Sequence, residues 1–238
     1  MPQAGEGNLN LRIPPRTAGK RNVLTTGTED YYRERAQEYD LVYAKPERQP
    51  DLLKMRQWLS GLLRGHHVLE VAAGTGYWTD VYADAAASAL ASDVNESTLE
   101  VARSRRKWPP SVSFQVADAF DLGAVDGSFD AAFAGFFWSH VPLAEVDQFL
   151  SGMHDRLGRG ALAVFMDNHH VDGSNHPMTR TDADGNTYQS RQLSDGSKWE
   201  VLKNFPTAGD VYSRLSAVAS GVEIHEWTHY WAATCTFS

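Results

Sequence analysis

The sequence contains very little cysteine, since Cys235 is alone among 238 residues. A single thiol cannot form an internal disulfide, so a reducing compartment is permitted. The chain also lacks any apolar run approaching the ~20 residues of a membrane span. Residues 1–22 lack the apolar segment of a signal peptide. We therefore expect a cytoplasmic protein with no membrane partner.

Basic residues are also in short supply. Lysine and arginine number 22 against 30 aspartate and glutamate residues, which gives a formal net charge of -8. Phosphate backbones bind basic faces, so this balance argues against a nucleic-acid partner. The basic run RSRRK at residues 103–107 is interpreted as the solvated end of a helix, where cations are favourable.

The length suits one domain with appendages. Residues 1–27 are rich in Gly, Pro and Asn, and we interpret them as a flexible arm. Residues 28–238 are expected to form the domain. Thr28 can cap a first helix that continues towards Tyr43, and QPDLLKMRQWLSGLL predicts a second helix that ends at Gly65. Together, residues 28–65 are predicted to form a helical lid.

The middle of the chain alternates short apolar strands with amphipathic helices, which predicts a parallel sheet covered on both faces. Residues 168–207 then carry Gly turns between strand-forming residues and predict a hairpin insertion before the last helix. Residues 222–237 are rich in β-branched and aromatic residues and predict two final strands.

The first predicted strand ends in small residues and glycines, in the stretch HHVLEVAAGTGYWTDV. Small residues allow a ligand to approach the backbone closely. A dinucleotide fingerprint would require a third glycine where the chain has Thr79. A phosphate-binding P-loop would require a lysine after the glycines, and none follows. The sequence therefore argues against both a dinucleotide-binding turn and a P-loop.

Acidic residues end three successive predicted strands. Glu70 ends the first, Asp93 the second and Asp118 the third. In open α/β sheets ligands bind beyond the carboxyl ends of the strands. Asp93 can accept hydrogen bonds from two ribose hydroxyls, and Asp118 from the exocyclic amine of adenine. The series favours a zwitterionic ligand that contains adenosine and no phosphate.

These residues resemble the class I S-adenosylmethionine-dependent methyltransferases, and most closely the bacterial enzymes that act on small molecules. The matching stretches are VLEVAAGTG (Val68–Gly76), SDVNESTLEVAR (Ser92–Arg103), VADAF (Val116–Phe120) and FDAAFAGFFWSHV (Phe129–Val141). The resemblance implies an α/β, Rossmann-like fold with a seven-stranded, mostly parallel sheet whose last strand is antiparallel. It also implies S-adenosyl-L-methionine as the cofactor.

The resemblance further implies a role for each matching position. Glu70 would organise the glycine turn, two turn residues would line the methionine moiety with their backbone, and Phe136 would face the sulfonium. The N-terminal tyrosines are candidates for closing over the cofactor, although simple aromatic packing explains them equally well. The implied cofactor-binding residues are Tyr31, Tyr39, Glu70, Ala72, Gly74, Asp93, Asn95, Asp118, Ala119, Phe120 and Phe136. Ala72 stands where the family usually has Gly, and close approach there is expected to require a negative φ.

His140 follows the fourth strand of the parallel sheet, on the side where an acceptor would meet the methyl group. A neutral imidazole there is a candidate general base for a hydroxyl or an amine. The alternative is a structural histidine that bonds the backbone. Trp138 and the neighbouring phenylalanines can form an apolar wall, so we expect a small, aromatic acceptor.

Two histidine motifs raise the question of a metal. HEWTH at His225–His229 matches the zinc motif HExxH, but that motif requires a helix and the surrounding residues predict strands. Asp167, His169, His170, Asp172 and His176 could hold a divalent ion, or could simply form a polar loop. We expect no metal in the site.

The sequence therefore predicts methyl transfer to a small molecule by in-line displacement. Two alternatives stay open. One is an NAD-linked oxidoreductase, and the other is a non-catalytic module that binds S-adenosylmethionine. The insertion is expected to cover the substrate or to form a dimer contact, so a homodimer is possible.

Overall fold

The computed structural model describes residues 29–33, 35, 38–194 and 196–238. The predicted flexible arm and the Thr28 cap lie outside the described residues. Residues 29–33 are helical, and a 3-10 helix at Tyr39–Tyr43 follows. The sequence predicts one α-helix that continues towards Tyr43. The structure instead has a 3-10 helix at Tyr39–Tyr43. Short 3-10 segments are common at helix ends and connectors.

Seven strands form the main sheet, in the order β3-β2-β1-β4-β5-β10-β9. The first five strands pair in parallel, and β10 runs antiparallel to both of its neighbours. Their bounds are β1 His67–Val71, β2 Ser88–Asp93, β3 Val112–Val116, β4 Ala131–Gly135, β5 Leu162–Asn168, β9 Ala219–Glu226 and β10 Tyr230–Phe237. This arrangement confirms the predicted α/β fold with an antiparallel last strand.

Helices cover both faces of the main sheet. Their bounds are α1 Gln49–Leu62, α2 Tyr77–Tyr82, α3 Glu96–Ser104, α4 Val146–Leu157 and α5 Ala208–Ser216. Successive strand residues point to opposite faces. Val164 and Phe133 therefore belong to the core against α1 and α2, whereas Phe165 and Ala132 belong to the core against α4 and α5.

The insertion between β5 and α5 contains a second, three-stranded antiparallel sheet. Its strands are β6 Met178–Thr181, β7 Thr187–Gln192 and β8 Lys198–Leu202, in the order β6-β7-β8. We call it the small sheet. Its residues Tyr188 and Val201 are buried. Because it follows β5, it lies close to the carboxyl ends of the parallel strands, where the site is built.

Among the residues that the structure describes, no helix is long and apolar enough to cross a bilayer.

Candidate functional site

The turn after β1 has a left-handed backbone at three positions. Gly74 has φ 55° and Gly76 has φ 71°, conformations that glycine adopts freely. Ala72 also has a positive φ, of 53°. The negative φ on which close approach at Ala72 was made conditional is therefore not found. A non-glycine residue held in this region carries strain of about 1–2 kcal/mol, and such strain concentrates at functional sites.

Glu70 stabilises this turn through side-chain hydrogen bonds to α2. Its Oε2 accepts hydrogen bonds from the hydroxyls of Thr79, at 2.6 Å, and Tyr82, at 2.7 Å. The side chain is buried, and this burial raises the pKa of Glu70 to about 7, although both hydrogen bonds oppose the rise. The carboxylate thus ties the start of α2 to the end of β1.

Asp93 fixes the turn from the neighbouring strand. Its Oδ2 accepts from the backbone N–H of Gly74, and its Oδ1 accepts from that of Asn95, both at 2.9 Å. Burial raises the pKa of Asp93, and the two backbone amides oppose that rise. The carboxylate lies at the carboxyl edge of the sheet with its oxygens already oriented.

A pocket of about 740 Å³ opens between the turn and the carboxyl ends of β2, β3 and β4. We call it the strand-end pocket. Its lining residues are Glu29, Tyr32, Tyr39, Ala72, Gly74, Thr75, Asp93, Val94, Asn95, Thr98, Ala117, Ala119, Gly135, Phe136, Phe137 and His140. The lining combines the carboxylates of Glu29 and Asp93 with apolar residues such as Ala117, Ala119 and Phe137.

Most of the sequence-predicted cofactor residues line this pocket, but four do not. Glu70 lies behind the turn. Asp118 accepts from the backbone N–H of Phe120 at 3.0 Å, and the Phe120 ring packs against Phe137. Tyr31 is 1% exposed and packs against Trp199, while the adjacent tyrosine lines the pocket.

A second pocket, of about 610 Å³, lies on the other side of Tyr32, Tyr39, Phe136 and His140. These four residues line both pockets, and we call them the shared wall. The remaining lining of the second pocket, which we call the basic pocket, comes from the segment before α1, the end of β5, the insertion and the start of β10. These residues are Arg35, Val42, Tyr43, Lys45, Arg48, Asn168, Ser174, Asn175, His176, Gln189, Arg191, Lys203 and Tyr230.

Hydrogen bonds fix His140 in the shared wall. Its Nδ1 lies 2.6 Å from the carbonyl oxygen of Leu202, so Nδ1 carries the proton and donates it. Nε2 therefore accepts from the hydroxyl of Tyr32 at 2.8 Å, and that oxygen accepts from Nη1 of Arg191 at 3.1 Å. Burial, with Lys203 and Arg191 nearby, holds the pKa of His140 well below its usual value. The imidazole is neutral at physiological pH.

A buried ion pair anchors the small sheet beside this wall. Lys203 donates to Oδ1 of Asp167 at 3.0 Å, and both side chains are almost completely buried. The same carboxylate accepts from the backbone N–H and the hydroxyl of Ser139. Ser139 immediately precedes His140, so the end of β8 and the loop after β4 are held together.

The histidine motifs are dispersed. His225 lies near the end of β9 and packs against Trp58, whereas His229 lies in the following turn with its Nδ1 2.9 Å from Oδ2 of Asp51. HEWTH therefore spans a turn between strands. In the part of the chain that the structure describes, no cluster of three potential ligands could hold a metal ion.

Most residues of the basic pocket were not predicted from the sequence. Gln189 and Arg191 lie two residues apart on β7, and both are buried. Polar residues at alternate, inward positions of a strand are the signal that could have identified them. Lys45 and Arg48 gave no local signal, because they reach the pocket only when α1 packs beside the insertion.

Known proteins resemble the chain in sequence and in structure. A family model described as a methyltransferase domain matches residues 68–160. Demethylmenaquinone methyltransferase of Renibacterium salmoninarum is 37% identical over 107 residues, which are 41% of this chain and 44% of that relative. The O-methyltransferase cnsE of Penicillium expansum is 43% identical over 77 residues, or 30% of this chain and 27% of the relative. The matched stretches thus span less than half of these relatives.

The structural likeness extends further along the chain. The DhpI–SAH complex shares 27% identity with a TM-score of 0.73, and the alignment covers 90% of this chain and 97% of that one. For the DhpI–SAM–HEP complex the identity is 25% and the TM-score 0.74, with 91% and 99% covered. Residues 68–160 thus match a methyltransferase domain, and the sheet order, the glycine turn and the carboxylate of Asp93 support a class I S-adenosylmethionine-dependent methyltransferase.

Proposed function

We propose that this protein transfers a methyl group from S-adenosylmethionine to a small molecule held in the basic pocket. The observation that carries the proposal is the shared wall, because four residues line both pockets at once. A ligand in each pocket would meet at this wall, which is what a two-substrate transfer requires.

The strand-end pocket fits the cofactor chemically. Asp93 offers a carboxylate for the ribose hydroxyls, and Ala117, Ala119 and Phe137 offer apolar surface for the adenine. Ala72 and Gly74 line the same pocket, and their backbone would border the methionine moiety. Glu70 takes part indirectly, since it bonds the start of α2 and keeps the turn in place.

The cofactor supplies a methyl group on a sulfonium, which is a built-in leaving group. The protein's contribution is therefore proximity and alignment. Phe136 has a positive φ of 61° and lies between the rings of Trp78, Tyr43 and Tyr230. Its backbone is in a strained region, and its ring packs against three others, so the shared wall has a fixed shape. Such a wall excludes water and orients the acceptor.

The aromatic acceptor expected from the sequence remains a prediction. Five aromatic rings line the basic pocket: Tyr32, Tyr39, Tyr43, Phe136 and Tyr230. They support a planar acceptor. Polar and charged side chains form the rest of the lining, so a ring held there would have to carry polar groups.

His140 as general base is likewise a proposal. Its neutral form is the one that accepts a proton. Its Nε2 already accepts from Tyr32, however, so a proton from the acceptor would reach the imidazole through the Tyr32 hydroxyl. If this relay operates, His140→Ala and Tyr32→Phe should each lower kcat by about 10²–10⁴-fold. If His140 only positions Tyr32, both variants should change KM more than kcat.

Both alternatives from the sequence find less support. Thr79 takes the place of the third dinucleotide glycine, is fully buried and donates to Glu70 at 2.6 Å, so the turn is built around a hydroxyl at that position. A module that only binds the cofactor would need no second pocket across the shared wall.

The test is a product screen with labelled methyl donor over candidate phenols, amines, indoles and acids. Label in an acceptor, with stoichiometric S-adenosylhomocysteine, would support the proposal. As the matched control, Asp93→Ala should weaken cofactor binding by about 1.5–3 kcal/mol, the scale of hydrogen bonds to a charged group. Hydride transfer to NAD with no labelled product would overturn it.

A further inference from the structure

The basic pocket has a charge opposite to that of the whole protein. The chain has a net charge of -8, yet five of the residues that line this pocket are Lys or Arg and none is Asp or Glu. The five are Arg35, Lys45, Arg48, Arg191 and Lys203. Such a concentration of one sign in a cleft attracts the opposite charge.

Four of these cations are held by neutral oxygens. Arg35 donates to the hydroxyl of Tyr31, and Arg48 to the hydroxyl and carbonyl oxygens of Ser174. Lys45 donates to the same carbonyl oxygen. The fifth cation, Lys203, has Asp167 as its counter-ion. Within the described ranges, the other four have no carboxylate as a hydrogen-bond partner.

Arg191 is the most informative of them. It is 8% exposed, and it donates to the hydroxyl of Tyr32 and to the side-chain oxygen of Gln189. Its Nε is buried and has no hydrogen-bond partner among the described residues. Charged groups are rarely buried without a counter-ion, because desolvation is costly. An anion that enters the pocket would supply the missing partner.

The cations line one pocket together with His176. Two of them lie side by side, since Lys45 and Arg48 donate to the same carbonyl oxygen of Ser174. Burial lowers the pKa of His176, and the charges of Arg191, Lys45, Arg35 and Arg48 lower it further. The pocket is bounded on one side by the shared wall, since Arg191 donates to Tyr32 and Tyr32 donates to His140.

We propose that the methyl acceptor is a small anion whose carboxylate, phosphate or phosphonate oxygens are bound in the basic pocket by Arg191, Arg48 and Lys45. This inference rests on the proposed function, because it assigns the acceptor to this pocket. Guanidinium groups bind such oxyanions with two parallel hydrogen bonds, which also fixes their orientation. The anion orients the acceptor relative to the shared wall.

The competing occupant is the carboxylate of the cofactor itself. Two buried guanidinium groups and an ammonium provide more positive charge than a single amino-acid carboxylate needs. The pocket also lies across the shared wall from the glycine turn. If the cofactor carboxylate were the occupant, removing Arg191 would weaken S-adenosylhomocysteine binding and leave acceptor binding unchanged.

Calorimetric titrations of the protein saturated with S-adenosylhomocysteine test the proposal. The probes are inorganic phosphate, methylphosphonate and benzoate, with methyl benzoate and benzamide as neutral controls. We expect the anions to bind and the neutral compounds not to bind, and the strongest probe identifies the kind of anion. Equal binding of anionic and neutral probes, or no response to any anion at millimolar concentration, would overturn the proposal.

The variants are Arg191→Gln and Lys45→Gln, with Arg180→Gln as the matched control. Arg180 lies on the same small sheet, but it is exposed and pairs with Glu200. We expect Arg191→Gln to weaken anion binding roughly tenfold to a hundredfold, the effect of losing hydrogen bonds from a charged donor. Lys45→Gln should have a smaller effect, and Arg180→Gln none.

Measuring the affinity for S-adenosylhomocysteine distinguishes failure of this inference from failure of the proposed function. Unchanged affinity with lost anion binding supports the inference, whereas lost affinity for both ligands in folded Arg191→Gln contradicts it. If Arg191→Gln does not fold, Lys45→Gln provides the test instead. Lys45 is only partly buried, so its substitution should leave the fold intact. If the wild type does not bind S-adenosylhomocysteine, the proposed function itself is refuted.

Discussion

At the scale of single residues, Ala72 shows a cost of the glycine turn. Its φ of 53° is a conformation that an L residue with a Cβ adopts with strain. We expect Ala72→Gly to raise the free energy of unfolding by about 0.5–1 kcal/mol, because the strain removed exceeds the extra chain entropy of glycine. Chemical denaturation without ligand measures the change.

The neighbouring Ala73 provides the control, because it is absent from the positive-φ residues of the described chain. Ala73→Gly should destabilise the protein by about 0.5–1 kcal/mol through chain entropy alone. Equal effects of the two substitutions would show that the left-handed conformation at Ala72 carries no strain.

Glu70 should make stability depend on pH. Its pKa rises from 4.5 to about 7 on folding because the side chain is buried. The folded state therefore binds more protons than the unfolded state between these values, and stability falls as pH rises through this window. We expect the wild type to lose about 3 kcal/mol relative to Glu70→Gln between pH 4.5 and pH 7.

Urea denaturation of both proteins across this range provides the measurement. The exposed Glu100 of α3 serves as the control, and Glu100→Gln should follow the wild-type profile. Parallel profiles for the wild type and Glu70→Gln would mean that Glu70 stays ionised in the folded protein.

At the scale of elements, the ion pair of Lys203 and Asp167 joins the end of the small sheet to β5 of the main sheet. Both side chains are buried, so removing one leaves an uncompensated charge. We expect Lys203→Met to lower the free energy of unfolding by about 3–5 kcal/mol. The double variant Lys203→Met, Asp167→Asn should recover part of this loss, because no buried charge then remains.

Thermal and denaturant unfolding of the single and double variants would show the coupling. Arg214→Met is a suitable control, since Arg214 pairs with the exposed Asp147. Exposed pairs contribute about 0–1 kcal/mol, so its effect should be small. Additive losses in the double variant would contradict a coupled, buried pair.

At the scale of the whole molecule, the strand-end pocket collects residues from distant parts of the chain. Glu29 and Tyr32 come from the N-terminal helical residues, Gly74 from the turn and Phe136 from the end of β4. A ligand that bridges them should stabilise the folded state. At a hundredfold excess over Kd, S-adenosylhomocysteine should add about 2.7 kcal/mol to the free energy of unfolding.

NAD should give no such stabilisation, because the buried Thr79, bonded to Glu70, stands where a dinucleotide turn has its third glycine. Thermal shift assays with both ligands make the comparison. A shift with NAD and none with S-adenosylhomocysteine would favour the oxidoreductase alternative.

The sequence by itself determined the parallel sheet, the glycine turn and the carboxylate of Asp93. These features depend on local patterns, since apolar runs, turn residues and strand ends lie close together in the chain. The choice between Tyr31 and Tyr32 was not determined, because adjacent helical residues both fit an aromatic pattern. Docking of the helix decided which tyrosine reaches the pocket.

Tertiary structure alone decided the basic pocket and the state of His140. Lys45 and Arg191 are separated by almost 150 residues, and neither belongs to a motif. The pKa of His140 depends on burial and on Lys203 and Arg191, which reach it only through the insertion. Electrostatic interactions of this kind depend on distance in space and on desolvation. They are absent from any local pattern, so they become visible only after the chain has folded.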